Sequence, residues 1–325
     1  MNEEERPDLV VAAYPIPELC LAAIEFGKRH QIPVVVDVRD LWPEVHLSLL
    51  PPWARPLGQV LSRPFWRQAR KACGEATAIV APTQGYLNWA LGLADRKAMH
   101  EDAVFPMGYS DAIPTEDERK SAFAFWKEVF DLSVGGGKLV CCYFGALGYQ
   151  SDFSTVLDAA GRLRERAPEI RFVICGKGDR EQELRQHGAD CSNIIFPGWV
   201  DFPKIWTLMQ IAGVGLVPFW NSPNYVSHIP NKPVEYMSGG LVLVSSLSGT
   251  LSKLLCEQRC GLTYPEGDSE KLAEYIFDLS ENPQKTAAMG ASARALFEDR
   301  FVADVVYSQM TDHLTAIVVE GELSE

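Results

Sequence analysis

The densest group of residues able to do chemistry runs from His228 through Asn231, Lys232, Pro233 and Glu235 to Gly239 and Gly240, followed at once by the apolar run 241–244. Asn231 is a favoured N-cap residue, and Pro233 suits a first helical turn, where a missing N–H costs nothing. Glu235 falls near the positive end of that helix, and the glycine pair closes it. The run that follows has the β-branched, unalternating look of a central parallel strand. A helix start with free N–H groups beside Lys232 is a ready anion site. A carboxylate one turn inside can accept hydrogen bonds from sugar hydroxyls. These residues fit a nucleotide-sugar site, and they fit equally an ordinary capped helix with a solvated Glu235.

Glycines recur where strands are expected to end: Gly145 and Gly148, Gly176 and Gly178, and Gly198. Each permits a tight turn or a close approach of backbone to ligand. The run Cys175-Gly-Lys-Gly-Asp-Arg is a fragment of a dinucleotide fingerprint and specifies little alone. No P-loop, G-x-S-x-G or kinase signature is present, and Asp37 and Asp40 lack the spacing of a D-x-D metal motif. No metal site is expected. Anionic charge must then be met by helix dipoles and basic side chains, with Lys232 first and Lys177 next. Both lysines can also be read as solvated surface residues. The cysteines contain no C-x-x-C pair, and Cys141, Cys142 and Cys175 fall in expected buried strands, where the residue acts as a small hydrophobe. The histidines show no metal-ligand spacing.

The elements that must position these groups alternate. Strands are expected at 8–13, 33–38 and 77–81, with helices at 16–30, 56–73 and 84–95. A second series has strands at 139–144, 171–175, 193–196, 214–217, 241–245 and 261–264. Helices fall between them at 153–167, 180–187, 202–212, 232–238 and 249–257, then at 269–280, 283–298 and 302–319. Such alternation predicts parallel sheets with right-handed crossovers, and ligands beyond the carboxyl ends of strands. Asp40 follows the second strand and so lies where chemistry is expected. Segment 109–137 breaks the rhythm, is polar, and ends in Gly135-Gly136-Gly137, which reads as a linker.

With 325 residues the chain can build two domains. It is 47% hydrophobic and 22% charged, a globular composition. A formal net charge of −13 argues against nonspecific nucleic-acid binding. No apolar run reaches the ~18–20 residues of a membrane span, and the acidic N-terminus lacks a signal-peptide core. A cytoplasmic location is the default expectation. Residues 51–71 stand apart: Arg55, Arg63, Arg67, Arg70 and Lys71 interleave with Trp53, Phe65 and Trp66, without one acid. This island predicts a peripheral contact with anionic lipid at the inner membrane face or with a lipid-diphosphate acceptor. The competing reading is a basic helix that packs its aromatics on its own domain.

Taken in order, Tyr143-Phe-Gly-Ala-Leu-Gly, Val173-Ile-Cys-Gly-Lys-Gly-Asp, Phe196-Pro-Gly-Trp-Val and Pro230-Asn-Lys-Pro-Val-Glu-Tyr-Met-Ser-Gly-Gly resemble the donor domain of retaining GT-B glycosyltransferases of family 4. Asp40-Leu-Trp-Pro-Glu resembles the bacterial branch that includes aminosugar transferases for surface polysaccharide. The resemblance implies an α/β GT-B fold, two doubly wound parallel-sheet domains facing a cleft. It implies an acceptor-side domain over 1–132 with its linker, a donor domain over 133–301, and a C-terminal helix, 302–325, returning to the first. Glu235 matches the second acid of the family's E-x7-E motif, which binds the nucleotide ribose. Gly145, Gly176, Gly178, Trp199, Val200 and Asn231 match positions around the nucleotide and diphosphate. Ser227 stands where the first acid of the motif is usual, and with His228 it falls at the donor-sugar end. Asp40 lies near the usual catalytic-cleft histidine and, with Lys232, is the expected catalytic residue. Ala146 and Ser151 or Asp152 stand where many members carry an arginine and a lysine. Several strand-helix units usual before 8–13 are absent, so the chain is expected to be a fragment, a mis-assigned start or half of a two-part enzyme.

The implied activity is a retaining, metal-independent hexosyltransferase reaction. The substrate is a nucleotide-diphosphate sugar, with no cofactor, and the acceptor is a glycan or lipid-diphosphate precursor in polysaccharide biosynthesis. The alternatives are a non-catalytic donor-binding or partner subunit, and a GT-B nucleotide-sugar epimerase.

Overall fold

Runs of β-branched residues too apolar for a half-exposed strand form the middle of two separate sheets. The computed structural model describes residues 6–44, 47, 50–51, 53–137 and 139–323. Residues 1–5 and 324–325 of the expected domains, and Pro52 of the basic island, lie outside the described residues. Unit 1 comprises 1–108, 222–229 and 303–325, and unit 2 comprises 109–221 and 230–302.

In unit 1, β1 (Val10–Tyr14), β2 (Val34–Val38), β3 (Ala78–Ala81) and β4 (Ala103–Val104) pair in parallel, in that order, among the described residues. Every residue of β2 is buried, Asp37 included, which is why its sequence does not alternate. The helices of this unit begin with α1 (Pro17–His30), α2 (Arg55–Leu61), α3 (Arg63–Glu75) and α4 (Gln84–Ala94). Cys20 and Ile24 of α1, Ala69, Ala72 and Cys73 of α3, and Tyr86 of α4 share one core with Val34, Val36 and Val38. The C-terminal helix α14 (Ala303–Leu323) serves the other face, where Ile317 joins Val35, Ala78 and Val80. The segment 222–229 holds the short helix α9 (Pro223–Val226), begun by a Ser222 cap and a proline in its first turn.

One helix was expected over 56–73, but two form. Pro64 has no N–H for the carbonyl of a preceding turn, so the helix restarts after Ser62 with Pro64 in its new first turn.

In unit 2 the parallel order is β10-β9-β8-β5-β6-β7. The strands are β5 (Val140–Phe144), β6 (Arg171–Cys175), β7 (Ile194–Gly198), β8 (Val214–Val217), β9 (Val242–Ser245) and β10 (Gly261–Thr263). The order reverses between β5 and β8, the topological switch point at which open α/β sheets bind ligands. Around them lie α5 (Glu116–Phe130), α6 (Phe153–Arg166), α7 (Glu181–His187), α8 (Phe202–Ile211), α10 (Asn231–Ser238), α11 (Thr250–Gln258), α12 (Ser269–Glu281) and α13 (Pro283–Arg300). Val156, Leu157, Ala160 and Leu163 of α6 and Leu272, Ile276 and Leu279 of α12 pack in the core that holds Cys141, Phe172 and Ile174. The strand cysteines are free, and burial pushes their thiols well above the ordinary range, Cys175 to about 12.

The stretch 109–137 is not the expected linker. It carries α5, whose start is a capping box in which Thr115 accepts from the Glu118 N–H and the Glu118 carboxylate accepts from the Thr115 N–H. Trp126 is fully buried and donates its indole N–H to the Lys204 carbonyl at 3.0 Å, so α5 belongs to unit 2. The division between the units accordingly falls at 108/109 rather than 132/133.

Candidate functional site

The carboxyl edge of the unit 2 sheet is paved with glycine backbone. Gly145 after β5 (φ +153°), Gly176 after β6 (φ +143°) and Gly198 at the end of β7 (φ +83°) all adopt a conformation that side chains disfavour. They are stitched sideways. The Gly145 N–H donates to the Cys175 carbonyl at 3.1 Å, and the Gly176 N–H to the Gly198 carbonyl at 2.8 Å. A second row of bonds joins the next loops, with Leu147 N–H on the Lys177 carbonyl at 2.9 Å and Arg180 N–H on the Leu147 carbonyl at 3.1 Å. Gly178 serves this stitching: a Cβ there would meet the Leu147 carbonyl oxygen at 2.4 Å.

Over this pavement opens a pocket of about 330 Å³, lined by Gly145, Gly176, Trp199, Val200, Lys232 and neighbours that include Lys177. Trp199 is 68% exposed, an unusual state for tryptophan, and offers a flat ring at the pocket wall. Lys232 arrives from α10, the helix that leads into β9, on the β8 side of the switch point in strand order. Its ammonium lies 4.8 Å from the centre of the Phe144 ring and donates to the Glu235 carboxylate at 2.7 Å. Burial pushes the Glu235 carboxyl up, and Lys232 opposes that shift. Tyr109 is also raised, to about 12, by burial and then by the Glu235 charge.

The start of α10 differs from expectation. Asn231 is the first helical residue and not the cap; Pro230 occupies the cap position, with no side-chain hydrogen bond to the helix N–H groups. Proline holds the extended backbone that a cap needs but carries no acceptor. The cap residue therefore offers the helix start no side-chain acceptor, and Asn231 is exposed.

Ser227 and His228, although close to Lys232 in sequence, belong to unit 1, as does Asp40. The Thr83 hydroxyl donates to the Ser227 carbonyl at 2.7 Å, and the His228 ring lies on Tyr86 with centroids 5.1 Å apart. Asn224 of α9 ties this segment to the end of β2. Its side-chain oxygen accepts from the Leu41 N–H at 3.1 Å and from the Tyr86 hydroxyl. Burial, with the Asp40 charge second, raises the Tyr86 and Tyr225 phenols. His228 is lowered to about 4, first by burial and then by Arg39, and its buried Nδ1 has no hydrogen-bond partner among the described residues. Arg39 itself donates Nε–H to Asp37 at 2.8 Å.

Of the site residues expected from sequence, Gly145, Gly176, Trp199, Val200 and Lys232 line one pocket, and Glu235 touches it through Lys232. Gly178 packs beneath, and Asn231 is not among the lining residues. Tyr86, Asn224 and Arg39 were not anticipated. Thr83 as a cap before 84–94 and Ser222-Pro223 as a helix start were legible signals for two of them.

The family model for glycosyl transferases group 1 matches residues 124–296, more than half of the chain. The chain belongs to that family. O-antigen chain mannosyltransferase C of Escherichia coli is 26% identical over 234 residues, which are 70% of this chain and 57% of that protein. The phosphatidyl-myo-inositol mannosyltransferase of Mycobacterium leprae is 28% identical over 156 residues, 47% of this chain and 41% of that protein. The chain spans about half the length of the curated relatives it matches. HepE of Anabaena, solved in complex with UDP, superposes with a TM-score of 0.72 at 17% identity, covering 94% of this chain and 79% of that one. Sucrose-phosphate synthase of Thermosynechococcus elongatus gives 0.71 at 16% identity, over 96% and 74% of the two chains. The α/β fold with two parallel sheets is thus that of the GT-B glycosyltransferases. The stretch matched by the group 1 model contains the pocket, the glycine pavement and α10.

Proposed function

We propose that this group 1 chain is a retaining, metal-independent hexosyltransferase. It takes a sugar from a nucleotide-diphosphate donor and passes it to a glycan or lipid-linked acceptor in polysaccharide or glycolipid synthesis. The observation that carries this reading is the pocket at the switch point, where Lys232, the uncapped start of α10 and bare glycine backbone converge.

The diphosphate lies against Lys232, with Lys177 and the α10 N–H groups adding positive potential. As the bond between the sugar and the diphosphate oxygen breaks, the electron pair stays on that oxygen, where these groups stabilise it. The released oxygen then takes the proton of the acceptor hydroxyl. Glu235 binds the ribose: a half-buried carboxylate whose charged form is penalised by burial gains most from additional hydroxyl donors. Trp199 and Val200 face the base, and the Gly145 and Gly176 backbone lets the diphosphate approach. In unit 1, Asp40 is assigned to the reacting end and Ser227 and His228 to the donor sugar. The two relatives named as mannosyltransferases, and the UDP held by HepE, support a nucleotide-sugar donor without selecting the sugar or base.

Glu235→Ala should weaken donor binding and raise donor KM on the order of 10- to 100-fold, the worth of charge-assisted hydrogen bonds. Calorimetry with UDP and GDP checks it, and unchanged affinity for both refutes the ribose assignment. Donor binding without turnover toward any acceptor would assign the chain to the donor-binding subunit class. Donor conversion without an acceptor would make it an epimerase.

A further inference from the structure

The basic island of unit 1 has a surface to which the proposed transfer chemistry assigns no residue. Helix α2 buries none of its residues. Leu57, Val60 and Leu61 fall at i, i+3 and i+4 of that helix and share one side of it, with Trp53 one turn earlier. All four are exposed, Trp53 at 83% and Leu61 at 67%. A globular protein rarely leaves one contiguous row of large apolar groups in water. Of the aromatics, only Trp66 is half-buried and Phe65 meets Trp42 edge-on at 4.8 Å, so self-packing accounts for part of the island alone.

Helix α3 supplies the complement. Ala69, Ala72 and Cys73 anchor it to the core, while Arg63, Arg67 and Arg70, at i, i+4 and i+7, line the opposite side. Together with Arg55 and Lys71 they are exposed, and none of the five enters an ion pair among the described residues. Elsewhere arginines are matched, as in Arg96–Asp102, Arg180–Glu183 and Arg294–Asp111. In a chain of net charge −13, five unmatched cations beside an exposed apolar row are a built contrast.

A soluble phosphate compound would satisfy the arginines and leave the tryptophan and leucines in water. An apolar protein surface would cover the leucines and strand the arginines. An anionic bilayer meets both demands, since apolar side chains enter the headgroup–acyl boundary while cations stay at the phosphates. Tryptophan favours that boundary, and arginine stems reach along it. We propose that the α2–α3 surface docks on the face of an anionic lipid bilayer, with Trp53, Leu57 and Leu61 inserted and Arg63, Arg67 and Arg70 on lipid phosphates. No described helix is long and apolar enough to cross a membrane, so this contact is peripheral. The inference goes beyond glycosyl transfer and stands whether or not that reading holds.

Co-sedimentation of the full chain with vesicles tests it. Vesicles of phosphatidylcholine and phosphatidylglycerol should bind the protein at least tenfold more strongly than phosphatidylcholine alone, and added NaCl should weaken that binding. Replacing Arg63, Arg67 and Arg70 together with glutamine should lower the partition on the order of 100-fold, from about fivefold per basic residue near an anionic surface. Replacing Trp53, Leu57 and Leu61 with serine should also release the protein, while the residual binding keeps its salt dependence. All six side chains are exposed, so melting temperatures should stay unchanged. Equal binding to both vesicle types, no binding to either, or variants that bind like the parent would overturn the proposal. So would an oligomer in lipid-free buffer that the serine variant abolishes, which would assign the surface to a second copy of the chain.

Discussion

Adding a single methyl group at Gly176 should damage unit 2 far more than adding one at Gly145, although the two residues adjoin. A Cβ at Gly176 would lie 1.8 Å from the Gly145 carbonyl oxygen and 3.0 Å from its carbon. That oxygen belongs to backbone that cannot swing aside. β5 and β6 are in register with Phe144 opposite Cys175, and the Gly145 N–H is bonded to the Cys175 carbonyl. The methyl must therefore push two adjacent strand ends apart by more than an ångström. Backbone strain at a glycine-only φ costs about 1–3 kcal/mol. Loss of one or two ladder bonds adds roughly 1 kcal/mol each. The sum, about 2–5 kcal/mol, should lower Tm by roughly 4–20 °C for a unit of this size. At Gly145 the new Cβ meets instead the Lys232 Cε at 2.9 Å and the Tyr143 hydroxyl at 3.2 Å. The lysine can rotate away, so only the φ penalty of about 1–3 kcal/mol remains. Its ammonium then leaves the pocket, and nucleotide affinity should fall by more than stability does. Thermal melts with and without UDP or GDP read both quantities. A Gly176→Ala chain melting within 2 °C of the parent, or equal losses of stability in the two variants, would refute the reasoning.

Asp102→Asn should destabilise unit 1 by about 3–5 kcal/mol, read as a shift in the urea midpoint. The fully buried carboxylate accepts from Arg96 at 2.7 and 2.8 Å and from the Ile79 and Met99 N–H groups at 2.8 Å each. Burial pushes this carboxyl up, but the Arg96 and backbone hydrogen bonds outweigh it and hold it below the usual range. Its stabilisation is therefore complete above the ordinary carboxylate range and is lost as pH falls through the lowered value; a loss under 1 kcal/mol at neutral pH would contradict the assignment. His228 adds a pH dependence in a higher window. Its folded value of about 4 lies below the ordinary ~6.5, so the unfolded chain gains a proton first as pH drops. Stability should fall between those values by up to about 3 kcal/mol, and His228→Gln should remove that component. Parallel stability profiles for parent and variant from pH 7 to 4.5 would show that burial of the imidazole contributes nothing.

Much of the candidate site could be read without a structure because its signals are local. Pro230 through Gly240 encodes a short helix and its stop, and the apolar runs before Gly145 and Gly176 encode buried strands that end in permissive backbone. N-cap preference points to Asn231 because it ranks side chains, whereas the chain's extended backbone at Pro230 sets the helix start. Helix α5 was hidden by its polar surface, although Thr115 and Glu118 spell a capping box and Trp126 marks its buried side.

Sequence alone determined most of the strands and helices, α5, α9 and β4 excepted, and where glycine leaves backbone bare, since burial periodicity and turn chemistry are written within a dozen residues. Only the tertiary structure decided that 222–229 joins unit 1 while 230–238 stays with unit 2. It also brought Asn224 to Tyr86 and Leu41 across separations of 138 and 183 residues. A hydrogen-bonding side chain carries no mark of its distant partner. That partner is chosen by how two sheets and their connections fold, which no local pattern records.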